Sequence, residues 1–284
     1  MHHVSSHFHT EDGLKLHIES WLPVQQSKAA VIMLHGAAEH IGRYAHVAAH
    51  FAAQGYAVHG YDQRGHGKSE GKRGYFNTFQ EPINDFAHYL AFVRGVHAER
   101  PIFIFAHSMG ALVILAYAIT PQATAVNGIM TIGVPLAIDE GMPNLMVSAA
   151  RALNQFAPET PLVTMDVTGM SRDPAVLATW TADPYNNLTL IRLRTSLGII
   201  GTARHVRVNL ADLTAPLLIL HGGADRITDP LGSEVLFAGA ASADKTLKIY
   251  PDLYHELVNE PERIMVLNDM VRWLDHHLPV DGKG

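Results

Sequence analysis

A serine lies between two apolar stretches in IFIFAHSMGALVILAY, residues 102–117. The pattern predicts a strand over 101–105, a sharp turn at Ala106-His107-Ser108-Met109-Gly110 and a helix from about 110 to 119. A strand, turn and helix of this kind form the G-x-S-x-G elbow, which presents a serine hydroxyl at the top of a sheet. Ala106 stands where that pattern has glycine. The alternative is that Ser108 only caps the helix through its side chain.

A serine hydroxyl is a weak nucleophile unless a base lies beside it and a further group orients that base. On an elbow of this type the acid and then the histidine follow the serine, each on a loop after a strand. Asp225 follows the predicted strand 217–220, and His255 follows the predicted strand 246–250. Their positions make Ser108, Asp225 and His255 the candidate catalytic triad.

Other residues of the same types have simpler explanations. Asp229 precedes Pro230 and suits the N-cap of a helix, because proline favours the first helical position. His276 and His277 fall at the far end of the last predicted helix, where solvated side chains are expected. His46 and His50 have a spacing that suits zinc, but no third ligand follows them, so a solvated helix face is preferred and no metal site is predicted.

An acyl-transfer site needs backbone N–H donors for the oxyanion, one of them from the residue after the nucleophile. Met109 supplies that donor. The second comes from the loop after an early strand, where His35-Gly36-Ala37 forms a compact turn able to aim an amide at the site. The alternative for this turn is a simple chain reversal.

Short apolar runs alternate with helical patterns through the first half of the chain, which predicts an α/β protein with a mostly parallel central sheet flanked by helices. The alternation stops near Val134-Pro135, and no convincing strand is found from about 135 to 212. We therefore predict an α/β core over residues 1–134 and 213–284, split by a helical cap over 135–212. Cap helices are expected near 143–156, 174–180 and 188–201.

Composition excludes several classes of protein. The chain has 284 residues with 48% hydrophobic and 17% charged, and its net charge of −6 without a basic cluster argues against nucleic-acid binding. It contains no cysteine, which rules out a thiolate nucleophile and a disulfide framework. The N-terminus lacks a signal-peptide pattern, and no run approaches the length of a membrane span, so a cytoplasmic location is expected.

The order and spacing of several segments resemble the monoacylglycerol lipase and lysophospholipase branch of the α/β-hydrolases. The resemblance covers roughly residues 12–278 and rests on HGAAEHIGRY, YDQRGHGKSEG, AHSMG, HGGADRITD, DKTLKIY, YHEL and the cap stretch SRDPAVLATWTADP. It implies an α/β-hydrolase fold with Ser108, Asp225 and His255 as the triad. It also implies that the oxyanion hole consists of the amides of Ala37 and Met109, and that no cofactor is required.

The same resemblance suggests residues that bind the substrate. The family's equivalents of Glu39 and Arg43 lie near the glycerol end of the pocket, although an ordinary surface ion pair is an equal alternative here. Trp180 stands where the family's cap often has tyrosine, which puts a polar contact with the leaving alcohol in doubt. Within the cap, residues 144–157 carry an apolar stripe that should pack on the core or line an acyl-chain tunnel with residues 197–200.

The sequence thus predicts a serine carboxylester hydrolase acting on a monoacylglycerol or a related single-chain lipid ester. Alternatives are a general short-chain esterase, a lysophospholipase, or a non-catalytic ligand-binding protein on the same fold. A haloalkane dehalogenase is disfavoured because its nucleophile would be an aspartate at the position of Ser108. Membrane contact is expected to be peripheral at most and to involve the cap, and the oligomeric state is left open.

Overall fold

The computed structural model describes residues 1–163, 166–186 and 191–279. Within these ranges the chain forms the strands β1 His2–His9, β2 Lys15–Leu22, β3 Ala29–Leu34, β4 Tyr56–Tyr61, β5 Ile102–His107, β6 Gly128–Ile132, β7 Pro161–Val163, β8 Ile191–Arg192, β9 Leu217–Gly222 and β10 Lys245–Tyr250. Its helices are α1 Ala45–Ala53, α2 Gln80–Val96, α3 Met109–Ala118, α4 Asn144–Phe156, α5 Pro174–Ala182, α6 Leu193–Val208, α7 Leu231–Gly239 and α8 Arg263–His276.

Eight of the strands form one sheet in the order β1-β2-β4-β3-β5-β6-β9-β10. The six strands from β4 to β10 in that order are parallel, and β2 and β1 continue the sheet in antiparallel pairing. Strands β3, β4, β5, β6 and β9 are buried along their whole length, as expected for a parallel sheet covered on both faces. The predicted α/β-hydrolase fold is confirmed.

Helices cover both faces of the sheet and give the domain two apolar layers. On one face, side chains of α2 and α3, such as Phe86 and Leu112, pack with Ile199 of α6 against alternate residues of the strands. On the other face, Phe51 of α1 and Met270 of α8 pack against the remaining strand residues. Because parallel strands end at the same edge, the loops after β3, β5, β9 and β10 meet there.

Three elements differ from the sequence-based expectation. The antiparallel hairpin β1–β2 was not predicted, since its polar and histidine-rich first strand lacks an apolar signature. A short antiparallel pair, β7–β8, lies in the segment where no strand was expected. Helix α6 spans Leu193–Val208 instead of 188–201, and positions 188–190 lie outside the described residues.

The apolar stripe of α4 also departs from expectation. Leu145 is 81% exposed and Phe156 is 87% exposed, and over residues 145–156 of the helix only Val147 is buried. The stripe therefore neither packs on the core nor lines a tunnel, but faces outward. Among the described residues, no helix combines the length and apolar character needed to cross a membrane.

Several histidines are buried close to the sheet. Burial, together with the positive charge of neighbouring histidines, lowers the pKa of His35 and of His59 to about 3. Burial likewise lowers the pKa of His66 to about 4, although the backbone carbonyl of Arg64 has the opposite effect. These three side chains are therefore neutral in the folded protein at pH 7 and have displaced pKa values relative to the ordinary 6.5.

We predict that acidification destabilises the fold. Because the folded pKa values of His35, His59 and His66 lie below those of the unfolded chain, the stability that their neutral forms allow is retained above pH 6.5 and is lost as pH falls from 6.5 towards the folded values of about 3 to about 4. At about pH 5 each of these three histidines lowers the free energy of unfolding by about 2 kcal/mol relative to neutral pH. His107, whose pKa is raised, partly offsets this loss. Urea denaturation at about pH 7.5 and about pH 5 measures the difference.

The variant His59→Gln is the matched comparison, because His59 lies away from the elbow and contacts Ser20 and His97. It should lose about 2 kcal/mol less than the wild type over the same pH interval. A free energy of unfolding that stays constant between the two pH values contradicts the prediction.

Candidate active site

The serine turn is held in a strained backbone conformation. Strand β5 ends at His107, Ser108 has φ 51° and ψ −119°, and α3 begins at Met109. The Ser108 amide donates to the Ile132 carbonyl at 2.8 Å. A Cβ at Gly110 would lie 2.5 Å from the His35 carbonyl oxygen, so this close approach requires glycine. The Ser108 side chain makes no capping hydrogen bond to α3, which excludes the helix-cap interpretation.

Asp225 and His255 meet beside this turn. His255 Nδ1 lies 2.7 Å from Asp225 Oδ2, and both side chains are almost completely buried. The competing acid Asp229 accepts the Leu231 amide at 2.9 Å, although α7 begins at Leu231 and its N-cap residue is Pro230, one position later than expected. The expectation of a solvated side chain was wrong for His277, whose side chain is 9% exposed because its ring contacts the Trp273 carbonyl at the end of α8 and the Asp244 carboxylate.

The carboxylate of Asp225 is surrounded by donors. Its Oδ1 accepts the amides of Ile227 and Thr228 at 2.7 and 3.0 Å, while Oδ2 accepts the Thr228 hydroxyl at 2.9 Å and lies 3.1 Å from His221 Nε2. Burial disfavours the charged form, but the charge of His255 and hydrogen bonds from His221, His255 and the Thr228 amide hold the pKa of Asp225 well below its usual range. The acid stays ionised and fixes the proton of His255 on Nδ1, which leaves Nε2 free as a base.

Ser108 is close to this pair but not hydrogen-bonded to it. Its residue is 9% exposed, and across the described residues no hydrogen bond joins its Oγ to His255. Such contacts are often loose in the free enzyme and tighten when substrate binds. The ring of His107 lies against that of His255, with 4.6 Å between the centroids.

The loop after β3 lies over the elbow. Ala38 has φ 63°, an uncommon conformation for a residue with a side chain, and it follows the predicted turn His35-Gly36-Ala37. In the described part of the chain, neither the Ala37 amide nor the Met109 amide donates a hydrogen bond. Two backbone donors close to the serine are therefore available to a ligand oxygen.

Glu39 and Arg43 are buried, so their pairing is not an ordinary surface ion pair. Their side chains are 3% and 9% exposed, and Arg43 Nη1 lies 2.6 Å from Glu39 Oε2. Arg43 also contacts a third charged residue, Glu256, which follows the catalytic histidine candidate in the chain. The expected place of Glu39 and Arg43 at the glycerol end of the pocket stays a prediction.

Trp180 of α5 is 1% exposed and packs with Met170 of the cap against Ala38 of the loop after β3. The Arg43 guanidinium lies 5.9 Å from its ring centroid. Among the described residues its Nε1 has no hydrogen-bond partner although it is buried. Trp180 thus covers the loop after β3 at Ala38, and its indole has one donor without a partner among the described residues.

Metal binding finds no support at the one histidine pair considered from the sequence. His46 Nε2 lies 2.7 Å from the Val258 carbonyl oxygen. Within residues 1–163, 166–186 and 191–279, no cluster of three or more histidine, aspartate or glutamate side chains has a metal-binding arrangement.

Sequence reasoning missed four polar residues around the triad: His107, His221, Thr228 and Glu256. Two of them had a positional signal, because His107 directly precedes the serine and Glu256 directly follows the histidine. His221 ends the buried strand β9, where a histidine suggests a polar partner nearby. Thr228 carried no signal, since its contact with Asp225 depends on the local course of the loop.

Comparisons with known proteins identify relatives over most of the chain. Residues 25–262 match the family Hydrolase_4, described as serine aminopeptidase, S33. The monoacylglycerol lipase of Mycolicibacterium smegmatis is 35% identical over 266 residues, covering 94% of this chain and 95% of that protein. The monoglyceride lipase of Rattus norvegicus is 33% identical, covering 97% and 92%.

A solved structure gives the same result. The monoacylglycerol lipase of Paleococcus ferrophilus superimposes with a TM-score of 0.81 at 28% identity, over 92% of this chain and 99% of that one. Because the family match spans most of the sequence and the relatives match over nearly their full length, the chain belongs to the Hydrolase_4 family of α/β-hydrolases.

Proposed function

We propose that this protein is a serine hydrolase that cleaves monoacylglycerols or related single-chain lipid esters through an acyl-enzyme intermediate. The observation that carries the proposal is the 2.7 Å contact between His255 Nδ1 and the ionised Asp225, beside the strained turn of Ser108. The two relatives named as lipases of monoacylglycerols or monoglycerides support the substrate class. No cofactor is needed for this chemistry.

Acylation begins when Ser108 Oγ attacks the ester carbonyl carbon and His255 Nε2 takes the hydroxyl proton. The ionised Asp225 stabilises the resulting imidazolium. The tetrahedral oxyanion accepts hydrogen bonds from the amides of Ala37 and Met109, which have no other acceptor in the described chain. Collapse of the intermediate breaks the bond to the alcohol, and His255 returns its proton to the leaving oxygen.

Deacylation repeats these steps with water as the nucleophile. His255 Nε2 removes a proton from the water as it attacks the acyl carbon, and the same two amides hold the second oxyanion. The bond to Ser108 then breaks, the serine recovers its proton from His255, and a fatty acid leaves. For the alcohol half of the substrate, the free Nε1 donor of Trp180 is our candidate contact in place of a phenol.

Three classes of substrate are compared to test the proposal: monoacylglycerols, short-chain esters and lysophospholipids. We expect the wild type to hydrolyse monoacylglycerols and to react with a fluorophosphonate probe, because that probe requires an activated serine. Ser108→Ala should abolish labelling and turnover. The measurements are gel-based labelling, fatty-acid release from monoacylglycerols and lysophospholipids, nitrophenol release from nitrophenyl esters, and nitroaniline release from an aminoacyl nitroanilide.

Turnover of acetate esters without any monoacylglycerol hydrolysis identifies a general esterase instead. Cleavage of the nitroanilide alone identifies a peptidase, in line with the description of the family. A wild-type protein that the probe does not label favours the non-catalytic ligand-binding alternative.

Assignment of the acid has an internal control. Asp225→Asn removes the charge that stabilises His255 and favours the wrong tautomer, so kcat should fall by about 10⁴-fold. Asp229→Asn changes the neighbouring carboxylate, which accepts the Leu231 amide at the start of α7, and it should leave kcat within about twofold. Steady-state hydrolysis of a nitrophenyl ester measures both, and equal effects of the two substitutions would overturn the assignment.

We further propose that the outward face of α4 rests on lipid surfaces, where single-chain esters collect. Leu145, Met146, Leu153 and Phe156 are between 47% and 87% exposed on this face. An exposed apolar patch of this kind is typical of a protein or membrane contact site. The contact is peripheral, and the cytoplasmic location expected from the sequence stays a prediction.

Replacement of Leu145 and Phe156 by serine should weaken binding to phosphatidylcholine vesicles by about tenfold or more for each residue, because each loses about 1.5–3 kcal/mol of apolar burial. Activity on a water-soluble nitrophenyl ester should not change. Ile264→Ser on α8, where Ile264 is 56% exposed, is the matched control and should bind vesicles as the wild type does. Equal vesicle binding of all variants contradicts the proposed surface.

A further inference from the structure

One buried carboxylate joins the loop after β3 to the serine elbow. Glu39 Oε1 accepts the Gly36 amide at 2.6 Å and the Tyr44 hydroxyl at 2.8 Å, and it lies 2.9 Å from His107 Nδ1. A Cβ on Gly36 would lie 2.7 Å from the same oxygen, so the loop backbone packs directly on the carboxylate. The loop that carries the Ala37 amide and the residue before Ser108 thus share one acceptor.

Arg43 extends this connection to the loop that carries His255. Its Nη1 lies 2.6 Å from Glu39 Oε2 and 2.6 Å from Glu256 Oε1, and its Nη2 lies 2.7 Å from Glu256 Oε2. The pairing with Glu256 is bidentate, which restricts both distance and orientation. Because Glu256 adjoins His255 in the chain, the guanidinium connects the loop that carries His255 (the histidine loop) to the loop after β3, which carries the Ala37 amide.

Other groups also contact His255: its Nδ1 lies 3.2 Å from the Thr228 hydroxyl oxygen, and its ring lies against that of His107, with 4.6 Å between the centroids. Its ring is anchored at Nδ1 by Asp225, and its own amide reaches the Gly169 carbonyl only at 3.4 Å. The next amide, that of Glu256, donates to the Met170 carbonyl at 2.8 Å. Both backbone acceptors belong to the cap segment, so the Glu256 carboxylate is the charged side-chain contact that connects this part of the loop to the core.

The charges in this group balance one another. Glu39 and Glu256 are each 2% exposed, and burial of two carboxylates requires compensating cations. Arg43 supplies one, and Glu39 raises the pKa of His107, the other basic group beside it, despite the burial of that ring. Burial opposes ionisation of Glu39, but the hydrogen bond and charge of His107 together with Arg43 hold the pKa of Glu39 well below its usual range.

We propose that Arg43 and Glu256 are positioning residues, which hold His255 in register with Ser108 and the oxyanion-hole amides by tying the histidine loop to Glu39. They do not touch the reacting atoms. The inference rests on the proposed function, and it extends that function by assigning to Arg43 a role in catalysis that differs from contact with glycerol. Displacement of a catalytic group by about 1 Å is enough to lower a rate by about 10²-fold.

The test uses Glu256→Gln, Arg43→Gln, Arg43→Lys and the double variant Arg43→Gln/Glu256→Gln in the full-length protein. With a soluble nitrophenyl ester, each Gln variant should lower kcat by about 10²-fold and leave KM within about threefold. Arg43→Lys keeps the charge but not the bidentate geometry, so its kcat should lie between that of Arg43→Gln and that of the wild type. The kcat of the double variant should be no lower than that of the slower single variant, because the two substitutions remove the same ion pair between Arg43 and Glu256.

A matched control separates positioning from stability. Arg64 and Asp85 form a bidentate pair with contacts of 2.6 Å and side chains 7% and 3% exposed, away from the triad. Asp85→Asn should lower the thermal midpoint as Glu256→Gln does and leave kcat within about twofold. The double variant removes one cation and one anion, so it remains testable where a single variant fails to fold.

A second readout does not depend on any substrate. The proton shared by His255 Nδ1 and Asp225 gives a far-downfield NMR resonance, which should shift or broaden in Glu256→Gln and Arg43→Gln but not in Asp85→Asn. An unchanged resonance, with a kcat loss no larger than that of Asp85→Asn, overturns the proposal. Wild-type kcat in the double variant also overturns it, because the network then only balances charge.

Discussion

The backbone conformation of Ser108 is the constraint on which the site depends. A positive φ at a residue with a side chain is unfavourable and persists only where the surroundings enforce it. Here β5 before the turn is buried throughout, and so are the first nine residues of α3 after it. The apolar core therefore provides the free energy that keeps a polar hydroxyl at the upper edge of the sheet.

The same packing explains the departure from glycine at the start of the elbow. Ala106 lies within β5, pairs with Leu34 and Thr131 in the neighbouring strands, and is completely buried. Its methyl group belongs to the apolar layer shared with α2 and α3. Close approach is instead required at Gly110, where a Cβ would meet the backbone of the loop after β3. A small side chain at 106 is thus compatible with the turn.

Much of this arrangement was predictable because strand polarity determines which loops meet. Ser108, Asp225 and His255 each follow a short apolar run, and parallel strands bring such loops to one edge without knowledge of side-chain detail. The α4 stripe was misjudged for a physical reason. Periodicity reveals that a helix has an apolar face, but not whether protein or solvent covers that face.

Contacts between distant charges were beyond sequence reasoning for a different reason. Arg43 and Glu256 are separated by 213 positions, and either residue alone resembles one of many surface charges. Hairpin β1–β2 escaped notice because its first strand is mostly exposed and shows no alternation of apolar residues. Pairing and burial, which only the folded chain defines, decide the role of such residues.

The cap segment around Gly169 and Met170 is hydrogen-bonded to the backbone of His255 and Glu256, and Ser171 donates its hydroxyl to the Asn259 carbonyl. This segment lies within residues 135–212, the predicted cap, which could be exchanged as a unit in a chimera designed for a different substrate range. In this protein such an exchange would also replace the carbonyl acceptors of the His255 and Glu256 amides, and His255 is the proposed catalytic base. A chimera therefore has to retain the short segment around Gly169 and Met170. Otherwise the exchange will disturb the loop of His255 together with the substrate range.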